Sequence, residues 1–403
     1  MKASPSSLAA KAGQTRRPKV LDDLHPSTLA AGLAAVLIGY ASSAAIIFQA
    51  AQAAAIDQAQ IGSWMWALGI GMGVTSLGLS WRYRMPLLTA WSTPGAALLV
   101  TQLPGVPFDQ AIGAFLLSSL LMLAVAASGL VERIMAVVPA SIASAMLAGI
   151  LLPFVLEVFT TVQTDPWLPL VLLGVWTLCR RLAPRLAIVA VLAAGVALCL
   201  GRGEFSLAGV AVSLTRPAWV TPAFDPVVCL GIGIPLFAVT LTTQNLPGFA
   251  MVRSAGFTPP VAASLGATGL ASLLMAPFGG HGVNMAAISA APCLGEEAHR
   301  EPQRRYTAGI AAGLGYLLLG ALGATVASLF DALPSAMIAV VAGLALMATL
   351  GGALRTAFSD GDNLDAVLVT FAITASPLTL AGIGSAFWGL VAGLIVLRLQ
   401  RRR

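Results

Sequence analysis

Apolar residues in this chain fall in long runs separated by short charged, Pro- or Gly-containing connections. That pattern belongs to helices crossing a bilayer, each needing about 20 apolar residues, and not to the half-buried elements of a soluble core. The runs predict spans near residues 28–54, 61–80, 86–101, 109–128, 136–157, 166–179 and 185–200. After a polar connection, a second set is expected near 226–249, 258–276, 281–292, 306–329, 333–353, 363–377 and 382–398. The expected fold class is an all-α integral membrane protein with fourteen spans. Its parts are a tail over 1–25, a first unit over 26–200, a periplasmic connection over 201–225, a second unit over 226–398 and a basic tail over 399–403.

The two units resemble each other. Gln49 and Gln244 stand 195 residues apart, and so do Pro139 and Pro334, which open the similar strings PASIASAMLAGI and PSAMIAVVAGLA. An odd number of spans per unit makes the second begin on the opposite side of the membrane, so the repeat is inverted. Inverted repeats with a site at their interface are an architecture of secondary transporters.

Composition supports the membrane reading: 58% of residues are hydrophobic and 9% charged, against about 25% charged in an average soluble domain. The net charge of +6 gains its meaning from placement. All Lys and Arg except Arg202 and Arg216 fall in the tail or in alternate connections, which puts both termini in the cytoplasm by the positive-inside rule. The surplus therefore needs no nucleic-acid partner. Lys2, Lys11, Arg16, Arg17 and Lys19 precede an apolar run too long for a signal peptide. Cys179, Cys199, Cys229 and Cys293 lack metal or disulfide spacing and are expected to pack.

Two segments cannot be uninterrupted helices. The third reads MPLLTAWSTPGAALLV, with Pro86, Pro94 and Gly95; the tenth reads APFGGHGVNMAAISAAPC, with Gly279, Gly280 and Gly282 around His281. Interrupted segments at corresponding places of two units point to a transporter's binding site, because irregular backbone at membrane depth is tolerated where it lines a cavity or is buried in protein. A half-helix beginning there presents unpaired N–H groups and the positive end of its dipole to an anion. Ser92 or Thr93 is expected to cap the first with Pro94 at its start, and Asn284 to cap the second. The competing readings are kinks without a site and a His281 bonded to a neighbouring carbonyl.

Polar groups within spans are further candidates: Tyr40, Gln49, Gln244 and Asn245, with Glu157 near an outer end. Asp225 and Asp365 read as helix starts. The glycines Gly69, Gly71, Gly73, Gly231 and Gly233 complete no nucleotide loop and are expected to serve close helix packing. One intramembrane histidine without a matched carboxylate pair argues against an enzyme, and neither cofactor nor metal is expected.

The strings RYRMPLLTAWSTPGAALL, TQNLPGFAMVRSAGF and APFGGHGVNMAAISAAPC with the adjoining GEEAHR resemble the bacterial benzoate transporter family, the benzoate:proton symporters. The similarity runs from about Leu21 to the last span. It implies a seven-plus-seven, uracil-permease-like fold in which the broken third and tenth segments begin as short strands crossing at the midplane, and spans 1, 3, 8 and 10 form a core moving against a gate. It also implies an inner-membrane importer of benzoate or a related aromatic carboxylate with a proton, and leaves room for a homodimer. An exchanger or permease for another small organic anion is the alternative. For such a substrate Ser92, Thr93, Gln244, Asn245 and Asn284 would supply donors beside Gly280, and Trp91, Phe278, Tyr40 and Phe48 an aromatic slot. Nucleobase permeases of this fold carry acidic residues on the eighth and tenth spans, whereas Gln244, Asn245 and Asn284 are neutral. The proton carrier is thus open between His281, Glu157 and a proton travelling with the substrate.

Overall fold

Helix α1 spans Pro26–Ala53 and α2 spans Gln58–Tyr83, the latter started by Asp57, whose carboxylate accepts from Gln60 N–H at 2.7 Å. Next along the chain are β1 (Thr89–Trp91), α3 (Thr93–Gln102), α4 (Phe108–Ser128), α5 (Ala140–Thr160), α6 (Trp167–Leu182) and α7 (Ala187–Gly201). The second half holds α8 (Pro226–Ser254), α9 (Val261–Met275), β2 (Val283–Met285) and the short α10 (Ala291–Leu294). It ends with α11 (Tyr306–Ala321), α12 (Gly323–Asp331), α13 (Ser335–Ala357), α14 (Leu364–Ala375), a two-stranded hairpin and α15 (Ser385–Gln400). This computed structural model describes residues 20–129, 139–205, 210, 212–359 and 363–400. Lys2, Lys11, Arg16, Arg17, Lys19, Arg133, Arg401, Arg402, Arg403 and the first residues of the expected span 136–157 lie outside the described residues.

The fold is that of a helical membrane protein. Among the described residues, five helices are long and apolar enough to cross a bilayer: Phe108–Ser128, Ala140–Gln163, Pro226–Ser254, Val261–Phe278 and Ser335–Ala357. A bent pair, Pro302–Ala321 with Gly323–Asp331, passes together across a 65° break. Helix α2 falls short in hydropathy because its sequence is rich in Gly, Ser and Thr, and its surroundings explain why: most of it is buried against other parts of the protein.

Close packing tracks the glycines. Helix α2 lies along α11, and a Cβ built at Gly69 would stand 2.4 Å from the Gly320 Cα, closer than any side chain tolerates. Gly73 meets Gly313 and Leu317 in the same way, Gly71 faces Val283, and Gly233 faces the Ala114 carbonyl on α4. Helix α9 packs on α4, α5 lies along α13, α6 along α7, and α14 along α15.

Asp225 starts α8 as expected, its carboxylate accepting from Val227 and Val228 N–H at 2.9 and 3.0 Å. Two π-helical turns interrupt α8, at Cys229–Gly233 and Thr240–Asn245. The connection ahead of it runs extended across one end of the molecule, Thr215 N–H bonding to Ala321 O, Ala218 N–H to Ser63 Oγ, Val220 N–H to Pro277 O and Ala223 N–H to Asp109 O. At the entry to α6, burial alone would raise the Asp165 carboxyl. The hydrogen bond and charge of Arg202, at 2.6 Å, together with backbone N–H groups outweigh that and hold it below its ordinary value. The cysteines are free thiols, Cys199 and Cys293 fully buried.

Candidate functional site

Strands β1 and β2 meet in antiparallel register, Thr89 opposite Met285, Ala90 opposite Asn284 and Trp91 opposite Val283. One further bond, Ala286 N–H to Leu88 O at 2.9 Å, extends the pair. Pro86 before β1 and the glycines before β2 keep both stretches out of helix. The Thr89 hydroxyl is tied to Thr75 and Ser76 of α2, so the side of β1 away from β2 is anchored by hydroxyls and not by a third strand.

The two segments leave the crossing differently. Ser92 caps α3, its Oγ accepting from Gly95 N–H at 3.0 Å, with Thr93 at the first and Pro94 at the second helical position. In the tenth segment Asn284 lies in the middle of β2 and caps nothing, because pairing with Ala90 holds its backbone extended. Beyond β2 the chain makes a single 3-10 turn at Ile288–Ala290 and then the four residues of α10, so the expected second half-helix shrinks to isolated turns. Gly295, in an extended conformation, ends α10.

A cavity of about 370 Å³ opens beside the crossing. Of the residues expected at a site, Trp91, Thr93 and Gln244 line it. The Trp91 indole donates to Ser43 Oγ at 2.6 Å, and Tyr40 packs edge-on against that indole with centroids 4.7 Å apart. Tyr40 therefore supports the wall without lining the cavity, and its buried hydroxyl finds no partner among the described residues. Gln244 Nε2 donates to Met285 O at 3.1 Å, fixing the amide against β2.

Other candidates sit elsewhere. Asn245 is fully buried and braces β2, donating to Asn284 Oδ1 at 2.8 Å while accepting from Met285 N–H at 2.8 Å. Gly280 is packed against Met275 and Ala67. Phe278 lies between Trp66 and Trp219, each with centroids 5.4 Å away, beneath the extended connection, and Phe48 stacks on Phe330. Gln49 is not among the cavity residues either, and its Oε1 is buried without a partner among the described residues.

His281 is 1% exposed and lies behind the wall. Its Nδ1 accepts from the Trp64 indole at 3.1 Å, and its Nε2 faces Ser92 O at 3.4 Å. A neutral ring protonated on Nε2 satisfies both contacts, which is the carbonyl-bonded alternative for this residue. The ring touches the residue next to Thr93, so it stands one residue from the cavity.

Three lining residues carry no clear signal of a site in the sequence: Tyr316 on α11, Ser289 and Arg180. Tyr316 is visible there only as a polar residue within an apolar run. Arg180 is legible only as one of the basic residues marking a side of the membrane.

A family model described as "Benzoate membrane transport protein" matches residues 22–399. The chain is 46% identical over 373 residues to the inner membrane protein YdcO of Escherichia coli, covering 93% of this chain and 95% of that one. With the benzoate membrane transport protein of Acinetobacter baylyi it shares 36% over 373 residues, again 93% of this chain and 95% of that one. Among solved structures, SLC26A9 superposes with a TM-score of 0.61 at 13% identity, over 95% of this chain and 66% of that one. The transmembrane domain of the cyanobacterial bicarbonate transporter BicA gives 0.56 at 17%, over 93% and 98%. These two likenesses concern the fold.

Proposed function

Because the chain belongs to the benzoate membrane transport protein family, whose members are membrane transporters and not enzymes, we propose that it imports benzoate or a related aromatic carboxylate together with a proton across the bacterial inner membrane. The observation that carries this reading is the cavity beside the β1–β2 crossing. It offers an indole face at Trp91 for a flat ring, and the Thr93 hydroxyl and Gln244 amide for a carboxylate, at the first turn of a buried half-helix.

The chain is read as fourteen spans in a seven-plus-seven inverted repeat with both ends cytoplasmic. The matched contacts of α2 with α11 and of α9 with α4 support that reading, as does the meeting of β1 and β2 from corresponding segments. In this arrangement the cavity lies toward the α6–α7 turn, on the side read as cytoplasmic. Benzoate entering alone would work against an inside-negative potential worth about 2.3 kcal/mol per 100 mV, so concentration of substrate requires a compensating proton. We assign that proton to His281, whose second ring nitrogen becomes available when the Trp64 hydrogen bond opens.

Uptake of radiolabelled benzoate into proteoliposomes tests the proposal. An inward-directed proton gradient should drive accumulation above the equilibrium level, and Gln244→Ala should weaken binding by about 0.5–3 kcal/mol, the span from an ordinary to a charge-assisted hydrogen bond. Absence of gradient-driven uptake by the parent protein would refute it.

A further inference from the structure

The cavity has two unlike walls. One, from α1, α2, β1, α3, α8, the tenth segment and α11, carries the aromatic rings of the lining and most of its polar side chains; the other, from α6, the α6–α7 turn, α7 and α13, is mostly aliphatic, with Pro184, Ile188, Val189, Ala348 and Thr349. On this second wall lies Arg180, the one charged side chain among the described residues that line the cavity. No carboxylate lies within ion-pair reach of it among the described residues. Its guanidinium instead sits over the Trp176 ring, with Cζ 5.3 Å from the centroid, a contact that holds the group in place without neutralising it.

An unneutralised cation at the edge of a mostly apolar cavity focuses its field inward and raises the local concentration of anions. A guanidinium also presents its donors in the planar fork that matches a carboxylate. The donors on the opposite wall, Thr93 and Gln244, are neutral, and one of the two Gln244 amide N–H groups is already engaged with β2. We propose that Arg180 is the anion-capture residue of this site, pairing with the substrate carboxylate as it passes between the strand crossing and the α6–α7 turn. The inference rests on the reading of the cavity as the substrate's path. It selects monoanionic carboxylates over neutral aromatics of the same shape, and it gives the second wall a part in binding.

A basic residue that only marks the cytoplasmic side would behave differently, and Arg181 provides the comparison: like Arg180 it is exposed, but it does not line the cavity. The test is calorimetric titration of sodium benzoate into the purified full-length protein at low and high ionic strength, for the parent, Arg180→Gln, Arg180→Lys and Arg181→Gln. Arg180→Gln should weaken binding about tenfold at low salt, the size of one charge-assisted hydrogen bond, and should lose the salt dependence that the parent shows. Arg180→Lys should fall between, retaining the salt dependence without the fork. Arg181→Gln should match the parent. Equal affinity of Arg180→Gln and parent, or equal weakening by Arg181→Gln, overturns the assignment. If Arg180→Gln does not fold, an Arg180→Lys variant with parent affinity and Arg181→Gln weaker than either overturns it as well. A parent protein that binds no benzoate refutes the functional reading itself, and this inference with it.

Discussion

Asn245 and Asn284 are joined side chain to side chain at 2.8 Å, and the same Asn245 amide takes up the N–H of Met285. One residue of α8 thus holds both a side chain and the backbone of β2. Replacing it with alanine strands a buried N–H and a buried side-chain oxygen, at about 1–3 kcal/mol for each unsatisfied group. Asn245→Ala should lower the thermal-unfolding midpoint in detergent and weaken benzoate binding, since Gln244 is fixed to the same strand. A variant with the parent's midpoint would show that β2 is positioned by something else.

Close packing at Gly69 is the second expectation. Gly69→Ala should destabilise by about 1–3 kcal/mol through overpacking against Gly320. Gly78→Ala, on the same helix with nothing within 4 Å of an added Cβ, should be neutral or stabilising. Comparison of the two midpoints checks the α2–α11 contact; equal effects would contradict it.

For coupling, His281→Gln should retain benzoate exchange in proteoliposomes while losing accumulation driven by an imposed pH gradient. Glutamine preserves hydrogen bonding but cannot take up a proton. If the variant concentrates benzoate as the parent does, the contacts of His281 with Trp64 and Ser92 are its whole role, and the proton travels by another route.

Topology is checked by single cysteines in a Cys-free background. One at Gln303 should be shielded from an impermeant thiol reagent in intact cells, whereas one at Thr221, exposed on the extended connection, should react. Labelling of Gln303 from outside would invert the orientation.

Legibility in the sequence tracks the strength of local signals. Pro86, Pro94 and the glycines around His281 announce broken backbone because their stereochemistry forbids or weakens helix; the structure leaves helix at Pro86 and at the glycines, and takes Pro94 into the first turn of α3. The start at Asp225 is legible for the same kind of reason. Roles set by tertiary register are not. Gln49 and Gln244 share an offset, yet only Gln244 reaches the cavity. The π-helical turn at Thr240–Asn245 adds a residue to one turn of α8 and so re-aims its side chains, whereas α1 is regular at Gln49. Asn284 reads as a cap because it precedes a helix-forming string; pairing with β1 claims its backbone instead.

The strand crossing has a consequence for biosynthesis. Its two halves come from distant parts of the chain, and Leu88 finds the N–H of Ala286 only after all of the intervening helices have been made. A contact of such sequence separation forms late and cannot be rehearsed by a fragment. The first seven segments, expressed alone, therefore carry β1 with its edge unpaired. The Thr75 and Ser76 hydroxyls, which anchor the other side of β1, are by contrast already made when β1 emerges, whereas its pairing edge waits for its distant counterpart.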